Sequence, residues 1–334
     1  MKKRFNKSNS MIKILKTFEI DDILWEQIAA GFNESFDRNV TVESLKNGFC
    51  VSNQRGYAFH AIAINDETGD IMAFNTYTPT FYKNGLNAMV SGSTFVKQKY
   101  RKDIFIFYDM VLALRERAKE EGFAVEIGVP NENSKEYGKV LLKDRYVADL
   151  DYYILPRNIS KVLGKPALRY LDCLSRFMCT LYLSMQYLLS LVCNYKEKEP
   201  KFALITDEEF YCARFKSSAY IKYKNHKYTA YYKVEDEDGK KVAYLFDFKH
   251  ENIRTRKALT KAVWHIYHHE KPDAILFVGF LWLRQFTLLP VPNKFVPKPL
   301  PLTYYVLDKK RKEEFKDMDE KNNWNFSLMN FDVR

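Results

Sequence analysis

The chain has 334 residues, enough for about two domains of ordinary size. Apolar residues are 46% and charged residues 28%, the balance of a globular protein. Its five cysteines (Cys50, Cys173, Cys179, Cys193 and Cys212) form no CxxC pair, which argues against a disulfide framework and fits reduced thiols in a cytoplasm. The formal charge of +11 is uneven: 22 Lys and Arg face 21 Asp and Glu through Arg157, but 31 face 21 from Asn158 onward. That excess points to an anionic partner for the second half, such as a membrane surface, a phosphorylated substrate or nucleic acid; the plainer reading is a solvated basic face. With 23 Tyr and 25 Phe, a large aromatic core or aromatic-lined grooves are expected.

The N-terminus, MKKRFNKSNS, is basic without an apolar run behind it, so it reads as a disordered basic arm over 1–11 and not as a secretory signal. Residues 21–36 have helical spacing after an Asp cap, and a shorter helix is expected over 41–48. YAFHAIAI (57–64) and IMAFNTY (71–77) read as strands joined by NDETGD, with Gly69 free to take positive φ. A third strand is expected over Thr94–Lys99. An amphipathic helix follows from Ile104 to Glu121 and stops at Gly122, then an apolar strand at Val125–Val129. Pro130-Asn131-Glu132-Asn133 reads as a turn, Ser134–Leu142 as a short helix, and Tyr152–Leu155 as the strand that closes the unit.

The oddest stretch is 166–194. On a helix, Arg169, Asp172, Arg176, Thr180, Ser184, Tyr187, Ser190 and Asn194 form a thin polar stripe beside a wide apolar face. The run is too short and too striped to span a bilayer. Lys161, Lys165, Arg169 and Arg176 precede or enter it; Lys196, Lys198 and Lys201 follow it. This pattern suits a helix lying in a membrane interface, or one buried between domains or in an oligomer such as a homodimer. Beyond it, 228–248 repeats strand, acidic Gly turn and strand, followed by a helix over 254–270 and an apolar strand over 273–279. The series suggests a degenerate internal duplication. LPVPNKFVPKPLPL reads as extended chain for a sheet edge or a packing arm, and NWNFSLMNFDVR as the closing piece of the second domain.

TFVKQKYRKDIFIF followed by EIGVPNENSKEYGKVLL resembles the acyl-CoA-binding half of the GNAT-type N-acyltransferases. The tandem arrangement looks like double-GNAT proteins and, more loosely, the Fem-type aminoacyl transferases. The resemblance implies an α/β (α+β) fold of two tandem GNAT-like domains, each a mixed central sheet flanked by helices. They would cover 12–157 and 201–334, joined by an amphipathic apolar helix in 158–200. It also implies acetyl-CoA or another acyl-CoA as substrate, held by Phe95, Val96, Arg101, Lys102, Asp103, Ile104, Phe105 and Ile106. The family's turn carries glycines so that backbone N–H groups can close on a pyrophosphate. Here Arg101 fits the pattern, while Ile104 and Ile106 replace both glycines.

By the same resemblance Asn131 flanks the thioester. Tyr137, one residue nearer the Asn than is common, matches the general acid for the thiolate. A base for the acceptor amine would come from Glu34, His60 or Glu126; alternating with apolar residues, His60 also reads as a half-buried strand histidine. Tyr220, Tyr223, Tyr228, Tyr231 and Tyr232 could line an acceptor groove in the second domain, or pack in its core.

His265, His268 and His269 share a helix without a Cys or carboxylate at metal spacing, so no metal is expected. No nucleic-acid-reading motif accompanies the charge, and none is expected to bind. The expected activity is acyl transfer, most simply acetyl transfer, to the amine of a small molecule or an amino sugar. That acceptor could be lipid- or nucleotide-linked in surface polysaccharide synthesis. The expected location is the cytoplasm, peripheral to the inner face of the membrane. The alternative is a non-catalytic, membrane-associated binding or assembly protein built from degenerate GNAT domains.

Overall fold

The computed structural model describes residues 10–51, 55–192, 200–250, 255–281 and 287–331. Along the chain run β1 (Ser10–Lys16), α1 (Asp22–Phe36), α2 (Val42–Val51), β2 (Phe59–Asn65), β3 (Ile71–Phe81), β4 (Asn87–Val96), α3 (Ile104–Glu120), β5 (Val125–Gly128), α4 (Glu132–Tyr137) and β6 (Arg145–Asp149). Then come β7 (Tyr152–Pro156), α5 (Ile159–Val162), α6 (Leu171–Val192), α7 (Glu208–Arg214), β8 (Tyr220–Lys224), β9 (Tyr228–Glu237), β10 (Lys240–His250), α8 (Thr255–His269), β11 (Ala274–Val278), β12 (Leu289–Pro290) and β13 (Pro301–Val306).

The chain forms two compact units. The first holds a seven-stranded mixed sheet in the order β1-β2-β3-β4-β5-β13-β6. Alternation along β2 separates its two faces. Phe59, Ala61 and Ala63 pack with Ile106, Met110 and Leu114, which recur every fourth residue on α3. Ile62 and Ile64 pack on the other face with Trp25, Ile28 and Leu45 of α1 and α2. The Asp21 side chain caps α1 by accepting the Leu24 N–H at 2.8 Å. Gly31 lets α1 close on the sheet, since a Cβ there would lie 2.6 Å from the Phe95 ring.

The second unit holds a six-stranded sheet in the order β12-β7-β11-β10-β9-β8. Its core joins Leu155, Tyr232, Leu245 and Ile275 of the sheet with Leu259, Val263 and Ile266 of α8 and Leu183 of α6. The two sheets follow one plan. A hairpin (β3–β4 or β9–β10) leads through a helix (α3 or α8) to a strand parallel to the hairpin's second arm. An antiparallel strand then covers that strand's far edge: β13 beside β5, and β7 beside β11.

Those last two strands correct the boundaries expected at 157 and 201. Tyr152–Leu155 does not close the first unit: β7 pairs with β11, from Tyr152–Val278 to Pro156–Ala274. The first unit instead takes β13 from the far end of the chain, pairing Thr303–Val306 with Val125–Gly128. The units are therefore residues 1–149 with 204–214 and 300–321, and residues 150–203 with 215–299 and 322–334. An apolar strand with two good faces does not encode its neighbour, because pairing is fixed by chain segments over a hundred residues away. The proline-rich stretch also divides, into β12 at the edge of the second sheet and β13 inside the first. The strand expected over Thr94–Lys99 is the end of a longer β4 that begins at Asn87. Of the basic arm expected over 1–11, residues 1–9 lie outside the described residues, while Ser10 and Met11 already belong to β1. Asn194, Lys196 and Lys198 also lie outside them.

Redistributing the charge over the observed units sharpens its asymmetry. The first unit carries 28 Lys and Arg against 29 Asp and Glu; the second carries 25 against 13.

Candidate functional site: a bulged strand beside a parallel gap

β3 pairs with β4 at Phe74–Phe95 and again at Thr76–Gly92, so Ser93 and Thr94 together stand opposite Asn75. Ser93 takes φ of +50°, which a residue with a Cβ seldom adopts. Such a bulge bends the strand and leaves the extra residue's backbone out of the ladder. The Asn75 side chain fastens it. Its Oδ1 accepts the Thr94 hydroxyl at 2.7 Å and the Thr76 N–H at 2.9 Å. Asn75 is fully buried, and its Nδ2 has no hydrogen-bond partner among the described residues.

On its other edge β4 runs parallel to β5, with rungs only from Ala88–Val125 to Val90–Ile127. Past Val90 the ladder stops while β4 continues to Val96, and Gly92 and Ser93 are exposed. A strand edge with free N–H and C=O groups can pair with an extended ligand that carries amides.

The chain next makes a tight turn at Gln98–Tyr100 and enters α3. Arg101 turns back, its Nε donating to the Val96 carbonyl at 3.0 Å. Lys102 is exposed, and Lys99 pairs with Asp70 at 3.3 Å. Asp103 caps α3: its Oδ1 accepts the Phe105 N–H at 3.0 Å. Ile104 and Phe105 are exposed at the helix start, whereas Ile106 is buried in the core with Met110. Phe95 is also a core residue, stacked on Phe74. Of the eight residues expected to hold acyl-CoA, the structure thus gathers Arg101, Lys102, Asp103, Ile104 and Phe105 at one exposed helix start. Phe95, Val96 and Ile106 act as its packed support. The Asp103 carboxylate already occupies the start of α3, where it opposes a second anion.

Asn131 caps α4, its Oδ1 accepting the Ser134 N–H at 2.9 Å and the Ser134 hydroxyl at 2.7 Å. The Tyr137 hydroxyl donates to the Ile104 carbonyl at 2.5 Å, and its ring lies 5.3 Å from that of Phe107. Burial pushes the phenol up to about 12, so it stays protonated at neutral pH. Tyr137 thus points toward the start of α3.

Two residues expected as bases have other roles. His60 is fully buried between Trp25, Phe49 and Phe74, with Nε2 2.9 Å from Thr17 Oγ1 and Nδ1 3.0 Å from Thr76 Oγ1. Burial lowers it to about 3, so it stays neutral within the core. Glu126 points from β5 into an ionic cluster. Its Oε2 meets Arg115 Nε at 2.5 Å, and Arg115 also binds Asp144 at 2.5 Å and the Leu142 carbonyl at 2.7 Å. Neither group is open to a substrate amine. Period-two spacing placed both on strands but did not reveal which face held a partner. Glu34 is exposed on α1. Sequence spacing alone also passed over Asn75, Ser93 and Thr94; the small residues of VSGSTF inside a strand were the available signal for the bulge.

One guanidinium between two carboxylates leaves an excess negative charge, and Asp144 is raised to about 7, chiefly by burial and then by Glu126, against the pull of Arg115. A raised carboxylate favours the folded state fully below its unfolded value of about 4, and that contribution is lost as pH climbs toward 7. His60 acts in the opposite sense: its contribution is present above about 6.5 and is lost as pH falls toward 3. The two slopes oppose each other between about pH 4 and 6.5. Asp144→Asn removes one of them. Its stability relative to the parent protein should therefore rise with pH across that window, by up to about 1.4 kcal/mol per unit. Urea unfolding at several pH values measures this, and a pH-independent difference would contradict the assignment.

The second unit repeats the parallel gap. β10 pairs with β11 only from Val242–Ala274 to Tyr244–Leu276, and its register slips at Phe246. Phe246 is buried there, with its ring 6.2 Å from Phe215 and 5.2 Å from Tyr220. Of the tyrosines expected to line a groove, Tyr223 and Tyr228 border a cavity of about 760 Å³ with Trp264 and His265. Tyr231 stacks on Phe215 and Tyr232 bonds Glu270, so both serve the core.

No protein-family profile matches the chain, and no curated protein matches it by sequence. Solved structures do. A GCN5-related N-acetyltransferase from Anabaena variabilis superposes with a TM-score of 0.56 at 8% identity, over 89% of this chain and 73% of the other. A second, from Kribbella flavida, gives 0.54 at 9% identity, over 90% and 72%. Saccharomyces cerevisiae N-myristoyltransferase with bound myristoyl-CoA gives 0.53 at 11%, over 90% and 82%. With two mixed sheets built on one plan, and with this likeness running through most of its length, the chain has the fold of the GNAT-type N-acyltransferases.

Proposed function

We propose that the protein is an acyl-CoA-dependent N-acyltransferase whose first unit carries the reaction. The supporting observation is the exposed bulge at Ser93 and Thr94 beside the β4–β5 gap; at its counterpart in the second unit, Phe246 is buried against Phe215 and Tyr220. The fold's use of acyl-CoA in the yeast neighbour supports the same reading. A thioester arm would pair with the free edge of β4, with its carbonyl near the bulge. The acceptor amine attacks the thioester carbon, the new C–N bond forms and the C–S bond breaks. The amine's proton leaves as the sulfur gains one, releasing an amide and a free thiol. An N–H held outside the ladder stabilises the oxyanion that develops between those steps. Tyr137, protonated at neutral pH, is the candidate proton donor for the thiolate once its bond to the Ile104 carbonyl is exchanged. The acceptor is an amine of a small molecule or amino sugar; a lipid- or nucleotide-linked one suits the basic charge of the second unit.

Asp103 favours the second reading, a non-catalytic binding or assembly protein, because its carboxylate opposes a pyrophosphate. Calorimetric titration with acetyl-CoA tests the two. The parent protein should bind, and Asp103→Gly should bind about fivefold more tightly, on the order of 1 kcal/mol for removing a like charge at a helix start. Absence of binding to both proteins at millimolar acetyl-CoA would sink the enzyme reading.

A further inference from the structure

The helix α6 lies with its apolar side outward. Asp172, Cys179, Leu183, Gln186 and Ser190 are its buried residues, and they recur at helical spacing along one face. Asp172 is held by the Ser160 N–H at 2.9 Å and hydroxyl at 2.7 Å, and Cys179 donates to the Pro156 carbonyl. The thin polar stripe of the sequence therefore faces largely inward or along the flanks. Opposite it, Leu174, Phe177, Met178, Leu181, Met185 and Leu188 are each about half or more exposed, between 47% and 64%. Their spacing draws a continuous band along the helix, ending at Val192, which is 80% exposed. Large contiguous apolar surfaces of this kind mark interaction sites.

The charge around the band selects the occupant. Between Cys173 and Val192 there is no Asp or Glu. Lys165 and Arg169 are exposed just before the helix, and Lys161, beside them in sequence, pairs with Asp273 at 3.0 Å. The unit that carries α6 has 25 Lys and Arg against 13 Asp and Glu. A second copy of this chain would bring the same positive field and no acidic complement within its own band. An anionic bilayer supplies both the apolar and the negative halves. Among the described residues no helix is long and apolar enough to cross a membrane. An apolar face with basic flanks and no span is the arrangement of a helix lying in the interface plane. Trp264 of α8 and Leu188 of α6 border the same cavity, so an exposed indole stands next to the band, a residue type favoured at headgroup depth.

We propose that the α6 band docks the protein on an anionic membrane surface, with the apolar side chains in the headgroup–acyl boundary and the basic unit against the headgroups. This stands independently of acyl transfer. It does, however, place the protein where a lipid-linked acceptor would be found.

The test is co-sedimentation of the full chain with vesicles of phosphatidylcholine alone or mixed with phosphatidylglycerol. The parent protein should pellet with the mixed vesicles and at least tenfold less with the neutral ones. Leu181→Asp with Leu188→Asp should lose at least tenfold of the binding, and Lys165→Glu with Arg169→Glu a smaller part, most of it at low salt. All four sites are on the surface, so unchanged circular dichroism and melting temperature are expected to certify folding. A blue shift of tryptophan emission on vesicle binding, reduced in Trp264→Phe, gives a second readout. Equal pelleting of the parent and the aspartate variant overturns the proposal. So does a parent that fails to pellet with the mixed vesicles, including one that sediments alone as a dimer dispersed by the aspartate substitutions, since the band would then be a contact between copies.

Discussion

Arg115→Met is expected to lower the unfolding free energy by about 3–5 kcal/mol, the range for removing one partner of a buried ionic cluster. The guanidinium reaches Glu126, Asp144 and the Leu142 carbonyl, and its carbon lies 3.7 Å from the centre of the Tyr305 ring. Arg115 and Glu126 are almost wholly buried. Methionine fills a similar volume but leaves two carboxylates to repel each other in a poorly solvated place. The carboxylates would then take up protons, so the loss should be greater at pH 8 than at pH 5. Adding Glu126→Gln and Asp144→Asn to Arg115→Met should restore most of the stability, because the charges that needed the guanidinium are gone. Urea unfolding of the parent, single and triple variants measures this. A loss under about 1 kcal/mol, typical of an exposed pair, would show that the cluster does not hold the first sheet to α3.

Deleting Ser93 is expected to reduce acyl transfer by about a hundredfold to a thousandfold, the usual cost of one lost oxyanion donor. The bulge exists because two residues oppose Asn75. With one removed, β4 can run in regular register from Gly92 to Phe95, and the strain of a non-glycine at φ of +50° disappears. Stability should therefore hold or rise while turnover falls, a combination that distinguishes a lost reactive geometry from unfolding. Thiol release from acetyl-CoA in the presence of a panel of amines, followed beside thermal melting, gives both readouts. Unchanged turnover in a folded deletion variant would remove the bulge from the reaction.

The sequence was legible wherever a residue's role depends on near neighbours. Gly69 and Gly122 adopt the positive φ that their turns require, 73° and 84°. The amphipathic helix expected from Ile104 to Glu121 forms as α3, with Met110 and Leu114 on its buried side, although Ile106, expected at the cofactor, is buried with them. The hairpin at 228–248 and the helix and strand after it form β9, β10, α8 and β11. The candidate site was legible only in outline. Asn131 and Tyr137 fall at the turn and helix expected of them, yet one acts as a cap and the other bonds the start of α3. Their roles depend on which donor or acceptor the fold brings within 3 Å, and Arg101 and Asp103 belong to the same class. His60 and Glu126 show the limit most plainly. A strand residue alternates between two faces by rule, but whether a face offers solvent, an aromatic cage or an arginine is set by helices elsewhere in the chain.

By itself the sequence determined the local order of strands, turns and helices, the resemblance to one fold, and the concentration of positive charge in the second half. Helix spacing, caps and turn glycines act over a few residues, within reach of local sterics and hydrogen bonding. Only the tertiary structure decided that β7 and β13 join sheets far from their sequence neighbours, that the bulge lies at Ser93, and that α6 turns its apolar band outward. Each of these outcomes is fixed by pairing or packing between distant segments. There the same alternating or amphipathic pattern satisfies more than one partner, until burial of the rest of the chain leaves one arrangement.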